Sequence, residues 1–221
     1  MSAPPLRRRL AAEGLGSFFL FACVIGSGIM AANLSQGNDA VALLGNTLAT
    51  AAILFVLITM LGPISGAHFN PAVTLVAASR HELPWRDAGG YIAAQLACGI
   101  IGGWAAHLMF DLPTLQLSVK ARTGLGQWTG EAVATFGLIL TIIGTVRHRR
   151  VWVPASVALY IAAAYWFTSS TSFANPAITV ARSLTNSFAG IAPQDAPAFI
   201  AAQLAGAFAG AWMARRLFDE S

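Results

Sequence analysis

The strongest constraint on this chain is a motif that occurs twice. Ser65-Gly66-Ala67-His68-Phe69-Asn70-Pro71-Ala72-Val73-Thr74 is echoed in part by Ser172-Phe173-Ala174-Asn175-Pro176-Ala177-Ile178-Thr179. Each copy passes from a polar entry through Asn-Pro-Ala into an apolar run. Asn is a strong helix N-cap, because its side-chain oxygen accepts a free backbone N–H. Pro suits the first helical position, where its missing N–H costs nothing. Each copy therefore predicts the start of a helix. Both starts lie inside a hydrophobic chain, where non-helical backbone is tolerated only if buried in protein or lining a wet cavity. Two such starts, one per half of the chain, predict two half-helices that point their positive ends at one water-filled point.

Hydrophobic residues make up 56% of the 221 residues and charged residues only 10%. A soluble domain carries about 25% charged residues, so the composition is that of a membrane protein. The net charge of +4 does not indicate nucleic acid, because of where the cations sit. Arg7, Arg8 and Arg9 precede the first apolar run, Arg147, Arg149 and Arg150 separate two runs, and Arg215 and Arg216 end the last. With Arg80 and Arg86 they place ten of thirteen basic residues on one side, the cytoplasmic one by the positive-inside rule. The remaining three are Lys120, Arg122 and Arg182. The N-terminal run continues past the h-region of a cleavable leader, and no small-residue cleavage site follows it.

A span needs roughly 20 residues. Six stretches qualify: Leu10–Ala32, Val41–Leu61 (ended by Gly62-Pro63), Trp85–Phe110, Gln127–Val146, Val151–Ser169 and Ala198–Phe218. The half-helices near Pro71–Ser79 and Pro176–Leu184 are too short to cross at about 1.5 Å per residue. Six spans put both termini in the cytoplasm, before and after Arg clusters, in the plasma membrane.

The halves repeat, at about 10–110 and 127–218, within one domain covering 1–221. Ile92-Ala93-Ala94-Gln95-Leu96-Ala97 recurs as Ile200-Ala201-Ala202-Gln203-Leu204-Ala205, and Glu13 before Ser17-Phe18 is echoed by Glu131 before Thr135-Phe136. Three spans per half is an odd number, so the second copy must insert upside down. Such inverted repeats place the functional site at their interface, near the midplane. Gly99 and Gly103, like Gly206 and Gly210, are spaced for close helix packing.

No catalytic set is evident. His68, His81, His107 and His148 are scattered, and no Cys/His/acid cluster has metal spacing, so neither enzyme activity, a metal nor a cofactor is expected. Cys23 and Cys98 both lie in apolar runs and read as small buried hydrophobes. Asn70 and Asn175 are the leading site residues. Each carboxamide can cap its own helix through oxygen and still offer N–H donors to a pore. With two helix dipoles behind them, they would make a point hostile to protons and cations. Selectivity of aquaporin type is a known instance of this physics.

These features resemble the aquaporin and glycerol-facilitator family of membrane channels (the major intrinsic proteins) from Glu13 to Phe218. The resemblance implies an all-α, aquaporin-like membrane fold of six transmembrane helices and two re-entrant half-helices, assembled as a homotetramer with one pore per subunit. It implies pore motifs at Asn70, Pro71, Ala72, Asn175, Pro176 and Ala177. It also implies that Glu13 and Glu131 buttress the re-entrant loops, with His68 in the same scaffold. Counting from the two Asn residues as the family does places the selectivity filter at Thr50, Ala163, Ser172 and Ile178. Most members carry Arg at the last of these positions. A filter of Thr, Ala, Ser and Ile is wider and less polar, and it is similar to that of arsenite-permeable aquaporins of bacterial arsenic-resistance operons.

Arg182 lies one helical turn beyond Ile178 and is expected in the outer vestibule, either as part of the path or as an anchor of the helix end. The expected function is a passive channel for small neutral solutes with water, arsenite and related metalloids or organoarsenicals among them. A glycerol and water facilitator is the alternative. A coupled secondary transporter also uses broken helices, but it would need pore-facing ionisable groups to bind its coupling ion. A junction protein without flux is a distant third reading. The bilayer and small solutes, not nucleic acid, are the expected partners.

Overall fold

The computed structural model describes residues 4–218. The described residues are built of helices: α1 (Leu6–Leu34), α2 (Asp39–Ser65), α3 (Pro71–Ser79), α4 (Trp85–Met109), α5 (Leu125–Arg149), α6 (Val153–Phe167), α7 (Pro176–Ser183) and α8 (Ala196–Phe218). A 3-10 turn, Arg150–Trp152, joins α5 to α6. Five helical stretches are long and apolar enough to cross a membrane, and one of these, Leu125–Phe167, consists of the two rods α5 and α6. Six rods and two half-helices result. The tail residues Met1–Ala3 and the Asp219-Glu220-Ser221 end fall outside the described part.

Local chemistry explains the ends. Asn38 caps α2 by accepting from Ala40 N and Val41 N. Pro63 was expected to close that helix, yet α2 runs on to Ser65. Near a helix end the ring removes a single hydrogen bond, so the helix survives it. Gly66 stops the helix instead, at φ 91°, a left-handed conformation that is easy only for glycine. The fifth rod begins later than its apolar run, because Pro154 settles at the first turn of α6.

Packing follows the repeat. Helix α1 lies against α4, α5 lies against α8, and α2 meets α6 across the repeat boundary. A Cβ on Gly102 would come within 2.2 Å of the Phe18 carbonyl oxygen, and one on Gly210 within 2.7 Å of the Phe136 oxygen. Backbone therefore touches backbone at both crossings, which only the absence of a side chain allows. Leu48, Leu159 and Phe167 are exposed on the outside, while Glu13, Gln95, Glu131 and Gln203 are fully buried. That distribution suits a molecule with lipid around it and polar groups along its axis. Each half-helix wedges against both α4 and α8.

Candidate functional site

Asn70 and Asn175 sit at the N-caps of α3 and α7. Asn70 Oδ1 accepts from Ala72 N at 2.9 Å, and Asn175 Oδ1 accepts from Ala177 N at 3.0 Å. The amide nitrogens cross over. Asn70 Nδ2 donates to Ala174 O at 2.7 Å, and Asn175 Nδ2 donates to Phe69 O at 2.8 Å. Each Asn thus ties down the residue preceding the other. An amide carries two N–H groups, so one donor per Asn is left for the cavity that both residues line.

The two loops share an unusual backbone. Ala67 and Phe69 in the first, and Ser172 and Ala174 in the second, have φ between 48° and 52°. Non-glycine residues in this left-handed region cost about 1–3 kcal/mol each and persist only where their surroundings hold them. Two carboxylates do the holding. Glu13 accepts from His68 N (2.9 Å), Phe69 N (2.7 Å), Ser65 Oγ (2.6 Å) and Gln95 Nε2 (2.8 Å). Glu131 accepts from Phe173 N (2.8 Å), Ala174 N (2.9 Å) and Gln203 Nε2 (2.6 Å). Gln95 and Gln203 also donate to Thr74 and Thr179 on the half-helices. These glutamines and threonines were not read as site residues, although the repeated Ile-Ala-Ala-Gln-Leu-Ala segment carried the signal. His68 belongs to the same frame, with Nδ1 3.1 Å from Thr74 Oγ1, and its ring also borders the cavity.

A cavity of about 770 Å³ runs past these loops. Its end near the chain termini is bordered by Glu82 and Arg150, its middle by Asn70 and Asn175, and its far end by Thr50, Tyr165, Ser172, Ile178 and Arg182. Between them the wall is apolar, with Leu54, Ile58, Val157 and Ile161 among its residues.

Three of the four positions assigned to the filter border this cavity: Thr50, Ser172 and Ile178. Ala163 does not. It is exposed on the outer face of α6, and Val157, Ile161 and Tyr165, spaced by four, face inward instead. Two positions along an α-helix turn a side chain by about 200°, which carries Ala163 away from the axis. Tyr165 borders the cavity instead, its hydroxyl 3.3 Å from Thr50 Oγ1.

Arg182 borders the far end of the cavity, one helical turn beyond Ile178. It is 2% exposed and does not stand free in a vestibule. A helical side chain leans toward the helix N-terminus, so this one folds back over the loop. Its guanidinium lies 3.3 Å from the centre of the Phe173 ring, and Nε donates to Ala189 O.

The model of the major intrinsic protein family matches residues 1–172. The chain is 58% identical over 202 residues to aquaglyceroporin AqpS of Rhizobium meliloti (strain 1021), covering 91% of this chain and 86% of the relative. It is 30% identical to aquaporin NIP1-1 of Oryza sativa subsp. japonica over 217 residues, 94% of this chain and 73% of that one. Nodulin-26 of Glycine max is 29% identical over 212 residues, 95% of this chain and 77% of that one. The crystal structure of the aquaglyceroporin from Plasmodium falciparum superposes with a TM-score of 0.73 at 19% identity, covering 97% of this chain and 96% of that chain.

Proposed function

Since the chain belongs to the major intrinsic protein family of channels, we propose that its axial cavity conducts small neutral solutes and water down their gradients, arsenite and related arsenicals among them. The observation that carries this reading is the composition of the far end of the cavity. Ile178 stands directly after the second Asn-Pro-Ala and borders the lumen, where a charged, hydrogen-bonding side chain would narrow it. Between the two ends the wall is largely apolar, and the acidic group that borders the cavity, Glu82, pairs with Arg80 while His68 is held against Thr74. Trihydroxylated neutral species such as As(OH)₃ and glycerol would meet the hydroxyls of Thr50, Tyr165 and Ser172 at the far end and single donors from Asn70 and Asn175 further in. The relative from Rhizobium meliloti is itself named an aquaglyceroporin, which favours solutes larger than water.

Asn70, Pro71, Ala72, Asn175, Pro176 and Ala177 form the waist in this reading, and Glu13, Glu131 and His68 hold its loops in shape. The arginine-rich ends face the cytoplasm, and four copies assemble in the plasma membrane with one pore each. Stopped-flow swelling of proteoliposomes with water, glycerol, arsenite and methylated arsenicals tests the proposal. Arsenite and glycerol should enter without any proton or sodium gradient. Uptake that requires such a gradient would point to a coupled transporter, and no uptake at all would point away from transport.

A further inference from the structure

The two halves are not equivalent in charge. In the first re-entrant loop Tyr91 Oη donates to Ser65 O at 2.9 Å. The position equivalent to Ser65, 105 residues on, is Ser170, and there the donor is Arg122, whose Nη1 lies 3.3 Å from Ser170 O. His68 of the first loop is matched by Phe173 of the second. Arg122 lies 5.1 Å and Arg182 3.3 Å from the centre of that ring. The two residues are 7% and 2% exposed. Among the described residues neither has a carboxylate within ion-pair distance. Glu131, under the same loop, is engaged by Phe173 N, Ala174 N and Gln203. Asp195 accepts from the backbone N of Arg122.

These charges have open hydrogen-bonding capacity beside them. Among the described residues Arg182 bonds to protein through Nε alone, which leaves both Nη groups without an acceptor there. Ser172 Oγ is buried and has no hydrogen-bond partner among the described residues, in a residue 2% exposed that borders the cavity. Buried polar atoms without partners are uncommon in native proteins and mark a missing ligand or water. Tyr165 completes the ring, sharing its hydroxyl contact with Thr50.

We infer that Arg182, Ser172 and Tyr165, with Arg122 behind Phe173, form a binding site for a small monovalent oxyanion at the far end of the cavity. The guanidinium presents paired N–H groups that match two oxygens of a planar or tetrahedral anion, and the serine hydroxyl supplies a further donor. The anion stops there. Beyond the waist the wall of Leu54, Ile58, Val157 and Ile161 offers nothing to replace its hydration, and an unpaired charge is costly to bury. A bound oxyanion therefore plugs the path of neutral solutes. Only this blocking effect rests on the conduction proposed above.

Sodium nitrate against sodium chloride at equal ionic strength is the test, because nitrate stays anionic across the working pH range. With the purified full chain in detergent, nitrate should raise the melting temperature saturably. In proteoliposomes it should slow glycerol swelling over the same concentration range. Arg182→Gln should abolish both responses. Ser172→Ala should weaken nitrate binding roughly tenfold or more, the loss of one hydrogen bond to a charged group, and it decides the matter if the arginine variant does not fold. Equal behaviour in nitrate and chloride, or a wild-type nitrate response in Ser172→Ala, overturns the site. A melting response that follows these residues in a protein without flux upholds the site and overturns conduction.

Discussion

Replacing Glu131 by glutamine keeps the size of the side chain and removes one acceptor oxygen. The carboxylate accepts from Phe173 N at 2.8 Å, Ala174 N at 2.9 Å and Gln203 Nε2 at 2.6 Å. A glutamine oxygen satisfies one backbone N–H, while its NH₂ group must face the other. Hydrogen bonds to charged acceptors contribute about 1.5–3 kcal/mol each, and a buried donor left unmet costs a similar amount. Losing the second backbone bond and weakening the first therefore costs about 3–6 kcal/mol. The same bonds restrain Ser172 and Ala174 in left-handed conformations, so the loop should relax as well as weaken. At about 2–4 °C per kcal/mol for a chain of this size, the melting temperature in detergent should fall by roughly 6–24 °C. Solute flux should fall with it, because Ala174 O would no longer meet Asn70 Nδ2. The control is Glu82→Gln, whose half-exposed side chain pairs with Arg80 and should cost about 0–1 kcal/mol. If Glu131→Gln melts and conducts like wild type, the carboxylates do not hold the loops.

Two further outcomes are expected. Asn175→Asp places a carboxylate oxygen where Nδ2 now donates to Phe69 O at 2.8 Å, setting two acceptors against each other at the positive ends of two helices. Proton or cation leak through liposomes should rise in the folded variant, and unchanged leak would argue against a barrier at the waist. Lys120 reports on the cationic end of the cavity. Burial, then Arg122 and Arg182, push its ammonium down to about 8, against the pull of Asp39. Its folded pKa lies below the ordinary lysine value, so the unfolded chain holds more protons between about pH 8 and pH 10.5. Stability contributed by this group therefore rises with pH across that window. Melting profiles of wild type and Lys120→Met should diverge there, with the wild type gaining; parallel profiles would refute the shift.

The fold was legible because its strongest signals are local. Asn-Pro at a helix start, an apolar run of span length and a Gly-Pro or Arg cluster at its end are each read from a few neighbouring residues. The helix ends that moved did so for equally local reasons, as where Pro63 was absorbed and Gly66 became the stop. The far end of the cavity is a different kind of object. It gathers Thr50 from α2, Tyr165 from α6, and Ser172, Ile178 and Arg182 from the second loop and half-helix. Placing a residue of α6 by counting back from Asn175 assumes a fixed loop length between them. An error of two positions rotates the choice by about 200°, which separates exposed Ala163 from inward Tyr165. Arg122 was beyond reach for another reason. It lies in the longest loop, between α4 and α5, and nothing in its neighbours predicts that its Nε would find Gly190 O at 2.8 Å.

The sequence repeat leaves room for the two ends of this cavity to differ. Duplication supplies the costly parts twice: a capped half-helix, a left-handed loop, a buried glutamate and a glutamine to orient it. Those parts must match, because each Asn bonds to the carbonyl preceding the other. The residues packed behind the loops carry no such constraint. A tyrosine hydroxyl supports Ser65 O on one side, and an arginine supports Ser170 O on the other. Both satisfy the same carbonyl, yet the arginine brings a full charge to one end. Arg182 adds a second, since its equivalent position 105 residues earlier is Ala77. The repeat thus matches the two Asn loops, while the residues packed behind them bring two buried arginines to the second loop alone. Exchanging a support, not a motif residue, is the change that should alter which solutes approach this pore.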